Sequence, residues 1–422
     1  MSSKAKKYFD QFQKCIGPGI ITGVSDDDPS GIATYSQAGA QFGFGVLWIM
    51  VFTLPLMIAI QEISGRLGQV TGEGIAANIR RHSSKAFLYP LVFILLVVNT
   101  LNIGADIQVM GSAMEILVGG SALLYCLIFA LITLGLEIFV PYSRYVNWLK
   151  WLTLVLFSYV ATAFAVHIPW LEVLKSLVIP QVKLNTDFFK MFLAILGTTI
   201  SPYLFFWQAS EECEDLYQCK EMPLLKNPSR AVSQLIRIKV DTYVGMTLSN
   251  IGAFFIMLTT AVTLHAHGLT HLNTAAEAAE ALRPLAGKFC FLLFSLGLIG
   301  TGLLAVPVLA GSAAYAVGEA FGWEVGLEKK LKEAKGFYAI LAASTLVGLA
   351  FTLLRINPIE ALIWTSVLNG VISAPIMAMI LWLASKESVM GPYTIKPVLK
   401  TVGWIATLVM LLASLGLFFT GV

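Results

Sequence analysis

A chain of 422 residues in which 57% are hydrophobic and 13% charged lacks the roughly 25% charge that keeps a soluble domain wetted, so its solvent is lipid. At about 20 apolar residues per spanning helix, the length holds roughly ten to twelve crossings and leaves no room for a sizeable soluble domain. The formal net charge of +3 gives no sign of a nucleic-acid partner, and no obligate protein partner is expected.

The chain opens on the polar, basic stretch MSSKAKKYFDQFQK. Gly17, Pro18, Gly19 and three aspartates follow, so no apolar run stands where a cleaved signal peptide needs one. Apolar runs then predict eleven spans, at 16–43, 45–66, 87–117, 121–141, 145–168, 187–209, 238–264, 288–318, 335–354, 358–384 and 397–420. With the N-terminus inside, the outer segments hold only Lys175, Lys183, Lys190, Arg283, Lys288 and Arg355 of the 28 Lys and Arg residues. Cytoplasmic loops carry the excess of such residues. The N-terminus is therefore expected inside and the C-terminus outside, in a plasma or inner membrane. The five cysteines form no disulfide framework. Cys15, Cys126 and Cys290 fall in or at the ends of apolar runs, and Cys213 and Cys219, placed in a cytoplasmic loop, lack zinc spacing and read as ordinary thiols.

The first span, IGPGIITGVSDDDPSGIATYSQAGA, sets Asp26, Asp27 and Asp28 mid-membrane beside Pro29 and Gly31. Carboxylates inside a membrane are costly and mark ion pathways. Pro29 removes a backbone donor, so the helix is expected to unwind here, with Asp28 capping a second half-helix that starts on Pro29. Three adjacent acids ionise together only beside a cation. The sixth span, FLAILGTTISPYLFFWQASEECED, is interrupted in the same way by Gly197, Ser201 and Pro202. Paired interruptions at corresponding places in two halves point to a transporter site, whose unwound carbonyls and half-helix ends supply further cation ligands. Spans one to five (about 15–168) and six to ten (about 187–384) then form two units, with an extra helix at about 397–420.

Other polar residues carry weaker signals. Asp241 in the seventh span and Glu62 in the second are isolated acids suited to a gate, a salt bridge or a water-filled vestibule. Asn369 and Thr365 in the tenth read as hydrogen-bonding bridges between helices, with a place in the site as the alternative. His265, His267 and His271 read as a plain solvated loop.

Together these stretches carry a family likeness. The segment GPGIITGVSDDDPSGIATYSQAGAQFGFGVLW (17–48) resembles the first helix of the natural resistance-associated macrophage protein (Nramp) family of metal-ion transporters. QEISGRLGQVTGEGIAANIR (61–80), the most specific stretch, looks like that family's second helix and the loop after it. SPYLFFWQAS (201–210), LGLIGTGLLAVPVLAG (296–311) and KESVMGPY (386–393) look like its sixth helix, its eighth and the loop before its eleventh. The resemblance implies an all-α integral membrane protein of about eleven transmembrane helices, an inverted five-helix repeat of LeuT type with helices 1 and 6 broken. It implies a secondary transporter that moves a divalent metal cation by alternating access, with the metal as transported substrate and no cofactor. Asp28 matches the family's metal-binding aspartate. Ser201 stands where the family has methionine, Gly31 where it has asparagine, and Tyr203 where it has histidine.

The expected ligands are Asp28, the Ser201 hydroxyl and carbonyls near Ser25 and Thr198, with Asp26, Asp27 and Asn369 as further candidates. Where the resemblance would put two acids in the third helix, this chain has at best a displaced Asp106 and an amide, Gln108, and between Lys335 at the start of the ninth span and Arg355 just past its end there is no basic residue. A phenol titrates near 10 and an imidazole near 6.5, so the family's proton route is expected to be missing. Exchanging a thioether for a hydroxyl favours Mg²⁺ and Mn²⁺, with Fe²⁺ behind them and Zn²⁺ and Cu last. The competing readings are an organic-solute or amino-acid carrier on the same broken-helix fold and an intramembrane magnesium-dependent enzyme. Three acids beside the site would repel an organic anion, and such an enzyme needs two acid-rich motifs, whereas the remaining span acids read as isolated.

Overall fold

The computed structural model describes residues 18–140, 157–354 and 356–420. The basic N-terminal stretch, Cys15, Arg144, Lys150, Arg355 and the first part of the expected fifth span lie outside the described residues. Every element among the described residues is helical. They are α1 (Pro18–Asp26), α2 (Pro29–Phe42), α3 (Trp48–Thr71), α4 (Ile75–His82), α5 (Lys85–Val118), α6 (Ala122–Phe139), α7 (Phe157–Ala165) and α8 (Trp170–Val178). They continue as α9 (Thr186–Thr199), α10 (Pro202–Gln218), α11 (Ala231–Thr263), α12 (Cys290–Phe321), α13 (Lys335–Phe351), α14 (Pro358–Ala384) and α15 (Pro397–Phe419), besides short single turns. Among the described residues nine helical segments are long and apolar enough to cross a membrane, with α9 and α10 counted as one. The first span comes in addition as α1 and α2.

Both expected interruptions are present, and local chemistry accounts for each. Asp28 is extended at φ −71°, ψ 172° and caps α2, with Pro29 at the first helical position. Its Oδ1 accepts from the Gly31 N–H at 2.7 Å and the Ser30 hydroxyl at 2.6 Å, which satisfies donors a helix start otherwise leaves orphaned. In the sixth span α9 ends at Thr199 and α10 restarts on Pro202. Proline has no N–H to continue a ladder but suits a first helical position.

Several helices overrun the apolar runs that predicted them. The sixth span continues to Gln218 rather than stopping near 209, so Cys213 sits inside a helix and Cys219 at its C-terminal cap, not in a loop. α11 begins at Ala231, ahead of the expected 238. Polar ends such as EECED and SQLIRIK carry no hydropathy signal. They stay helical because they pair with one another, as Arg237 does with Glu212.

Packing places the breaks. α1 and α2 both lie along α11, and α9 lies along α14. The approaches are backbone to backbone: a Cβ on Gly245 of α11 would sit 2.3 Å from the Gly19 carbonyl oxygen, and one on Gly197 of α9 would sit 2.0 Å from that of Ser366. Small residues permit this contact, which membrane helices use in place of hydrophobic driving force.

Candidate functional site

The two breaks face each other. The Tyr203 hydroxyl at the start of α10 lies 3.4 Å from the Ser25 carbonyl oxygen and 3.5 Å from Asp28 Oδ2. A Cβ on Gly31 would stand 3.2 Å from Thr198 Oγ1, so the first turn of α2 abuts the last turn of α9. The C-terminal ends of α1 and α9 bring carbonyls and the negative ends of their dipoles to this place, an environment that favours a cation.

The three aspartates are all buried, but they turn in two directions. Asp28 spends Oδ1 on its own helix and directs Oδ2 across the gap, where Asn102 Nδ2 of α5 donates to it at 3.2 Å. The same Nδ2 lies 3.3 Å from Asp106 Oδ2, one turn further along α5. Asn102 and Asp106 are both 0% exposed, and Asn102 Oδ1 and Asp106 Oδ1 have no hydrogen-bond partner. Asp26 and Asp27 face α11 instead. The Ser249 hydroxyl lies 2.5 Å from Asp26 Oδ2 and 3.2 Å from Asp27 Oδ1. Among the described residues no three acidic, histidine or cysteine side chains gather as a metal-binding group.

Ser201, Thr198 and Ser25 border this gap. Ser201 is buried, and its hydroxyl donates back to the Gly197 and Thr198 carbonyls, both at 2.8 Å. Thr198 thus meets Gly31 through its side chain and Ser201 through its carbonyl. The Ser25 hydroxyl bonds the Ile21 carbonyl at 2.9 Å, which leaves the Ser25 carbonyl as the group turned to Tyr203. Asn369 is 1% exposed with an unpartnered Oδ1, and the Ser373 hydroxyl one turn on donates to the Ile200 carbonyl at the break at 2.9 Å.

Other sequence expectations are corrected or sharpened. Asp241 accepts from the Gly19 and Ile20 N–H groups at 2.6 and 3.2 Å, and so caps α1 from 222 residues away. Glu62 pairs with Arg66 at 3.1 Å. Thr365 bonds within its own helix, whereas its neighbour Ser366 bridges to Thr34 of α2 at 3.1 Å. His265 and His267 each bond a carbonyl, of Ala40 and Thr263, at 2.7 Å. Gln108 donates to the Ile356 carbonyl at 2.6 Å, away from the site. Asn102 and Ser249 are site neighbours that the sequence reading missed. Asn102 had one available signal, its place four residues before Asp106 and hence on the same helix face.

Comparison with known proteins follows this geometry. The sequence profile of the family described as natural resistance-associated macrophage protein-like matches residues 19–420. A divalent metal cation transporter MntH of Aeromonas hydrophila is 25% identical over 401 residues, covering 92% of this chain and 91% of that one. The MntH of Yersinia pestis is 28% identical over 314 residues, covering 70% and 71%. The crystal structure of a manganese transporter of Eremococcus coleocola, in complex with an aromatic bis-isothiourea substituted compound, superposes with a TM-score of 0.74 at 18% identity. It covers 97% of this chain and 86% of that one. A nucleobase-cation-symport-1 family transporter in a closed conformation superposes with a TM-score of 0.55 at 13% identity, covering 96% and 92%.

Proposed function

This chain belongs to the natural resistance-associated macrophage protein-like family, and we propose that it carries a divalent metal cation, Mg²⁺ or Mn²⁺ ahead of Fe²⁺, across the membrane by alternating access. The observation that supports this most directly is the set of groups around Asp28 Oδ2. Asp28 Oδ2 and the Ser25 carbonyl oxygen both lie within 3.5 Å of the Tyr203 hydroxyl, so the gap offers oxygen lone pairs, while Ser30, Gly31 and Asn102 act as hydrogen-bond donors that orient the carboxylate. Oxygen donors suit Mg²⁺, Ca²⁺ and Mn²⁺, whereas thioether and thiolate select softer ions. Mg²⁺ usually keeps several waters and accepts one or two carboxylates, which matches a site with Asp28 in front and Asp106 behind Asn102.

In this reading Asp28 is the central ligand, and the carbonyls at Ser25 and Thr198 and the Asn102 amide complete the near shell, partly through water. Ser201 acts through its lone pairs, since its proton is held by α9. Asn369 closes the side next to α14. Asp26 and Asp27 add negative potential from the α11 side. Residues of about 15–168 and 187–384 form the two inverted units, with α15 outside them. The Lys and Arg distribution supports an N-terminus inside and a C-terminus outside. We read the protein as a carrier and not as an enzyme, a reading supported by its similarity to divalent metal cation transporters.

Uptake into proteoliposomes tests the reading. Mg²⁺ and Mn²⁺ are expected to compete, and Cd²⁺ and Zn²⁺ to compete poorly. If excess Mg²⁺ leaves Mn²⁺ entry untouched while Cd²⁺ abolishes it, the hard-oxygen assignment fails. Tyr203 in place of an imidazole also supports transport uncoupled from the family's proton route, and stoichiometric acidification of the vesicles during uptake would refute that part.

A further inference from the structure

A groove of about 830 Å³ lies between α3, α11 and α15, apart from the breaks. Its walls are apolar, with Pro55 and Ile58 of α3, Leu235 and Ile236 of α11, and Leu399 and Val402 of α15. Ile236 is 57% exposed, so this wall is open at the molecule's surface. The groove also holds Arg66, Lys239 and Lys396 against a single carboxylate, Glu62. Lys239 and Lys396 are exposed, and Lys239 lies 5.3 Å above the Tyr243 ring. Arg66 is 9% exposed; its Nη1 bonds Glu62, but its buried Nε has no partner. A guanidinium offers five N–H donors in a planar fork that matches phosphate, and an unsatisfied buried donor is costly.

We propose that this groove holds an anionic phospholipid, with its phosphate on Arg66, Lys239 and Lys396 and an acyl chain along the α11–α15 wall. Three cations against one carboxylate favour a net negative headgroup over a zwitterionic one. The apolar wall running from those cations commits the site to a lipid rather than free phosphate. Basic pockets between membrane helices hold anionic headgroups through the same combination. The inference rests on the chain's place in a bilayer and not on the metal reading, so either can fail without the other.

The test uses the full-length protein in neutral detergent, titrated with phosphatidylglycerol, with phosphatidylcholine of the same chains, and with inorganic phosphate. Native mass spectrometry reads bound lipid, and the melting midpoint reads stabilisation. Phosphatidylglycerol is expected to bind and stabilise where the other two do not. The double change Lys239→Gln/Lys396→Gln is expected to weaken that binding roughly 30-fold, for two interfacial charges removed. Lys332→Gln/Lys335→Gln, outside the groove, is expected to leave it unchanged. Equal binding of the two lipids, stabilisation by phosphate alone, or full phosphatidylglycerol affinity in the groove variant would each overturn the proposal.

Discussion

Removing the Asn102 side chain is the sharpest probe of the site. Its Nδ2 stands 3.2 Å from Asp28 Oδ2 and 3.3 Å from Asp106 Oδ2, so Asn102→Ala deletes the group that orients the central carboxylate and separates it from its neighbour. A hydrogen bond to a charged group contributes about 1.5–3 kcal/mol, and loss of a partner that orients a metal ligand lowers metal affinity by about 10–100-fold. The two figures agree at about 2 kcal/mol, or roughly 30-fold in Kd. Titration calorimetry with Mg²⁺ and Mn²⁺ on the purified protein measures it directly. Asn99→Ala supplies the control on the same helix. Its Nδ2 donates to the Leu309 carbonyl at 3.1 Å, away from the aspartates, so that change is expected to lower the melting midpoint and leave affinity intact. An Asn102→Ala protein that is folded and binds metal within about twofold of the parent, a gap far below that estimate, would refute the assignment of Asn102 to the site.

Asp28→Ala is expected to abolish metal binding, and Asp26→Ala or Asp27→Ala to weaken it while keeping uptake measurable; unchanged affinity after Asp28→Ala would dismiss the central ligand. Ser201→Met is expected to raise the competitive strength of Cd²⁺ against Mn²⁺ in uptake, and no change in that ratio would place the Ser201 side chain outside the selectivity site. Gly245→Ala is expected to lose about 1–3 kcal/mol of stability by overpacking, because its Cβ would meet the Gly19 carbonyl oxygen at 2.3 Å. Gly135→Ala on α6, with nothing within 4 Å of the added carbon, is expected to gain up to about 1 kcal/mol. Thermal melts of the pair in one detergent decide it, and equal shifts would contradict the close approach of α1 and α11.

Much of this architecture was legible because its rules are one-dimensional. Apolar runs near the membrane thickness mark spans, and Pro29 and Pro202 mark restarts, since proline starts a helix but cannot continue one. The cap formed by Asp28 follows from the residue types themselves. What escaped is what depends on three-dimensional neighbours. Asp241 read as an isolated acid because its partners, the Gly19 and Ile20 amides, are distant in sequence. The aspartate run read as one cluster because adjacency in sequence hides direction: Ser249 draws two of the three toward α11 while Asn102 draws the third toward α5. The helical ends beyond Ala209 and before Ile238 were missed because buried ion pairs hold them, not hydropathy.

The seating of the first span on α11 bears on how the molecule can move. Asp241 and Gly245 grip α1 at Gly19. Further along, a Cβ on Gly39 of α2 would meet Thr260 Oγ1 at 2.1 Å and the Met257 carbonyl oxygen at 2.3 Å. Both grips lie on one unbroken helix of 33 residues, about 24 Å apart at 1.5 Å per residue. α11 is thus a splint across the fracture, and the two half-helices cannot slide apart to fit a larger cargo without lifting off it. One side of the gap, with Asp28 and the Ser25 carbonyl, is thereby seated on α11. The opposing side of the gap, Asn102 on α5 and Tyr203 on α10, is seated on other helices, where a Cβ on Gly104 would meet the Gly348 carbonyl oxygen and one on Gly68 that of Ala209.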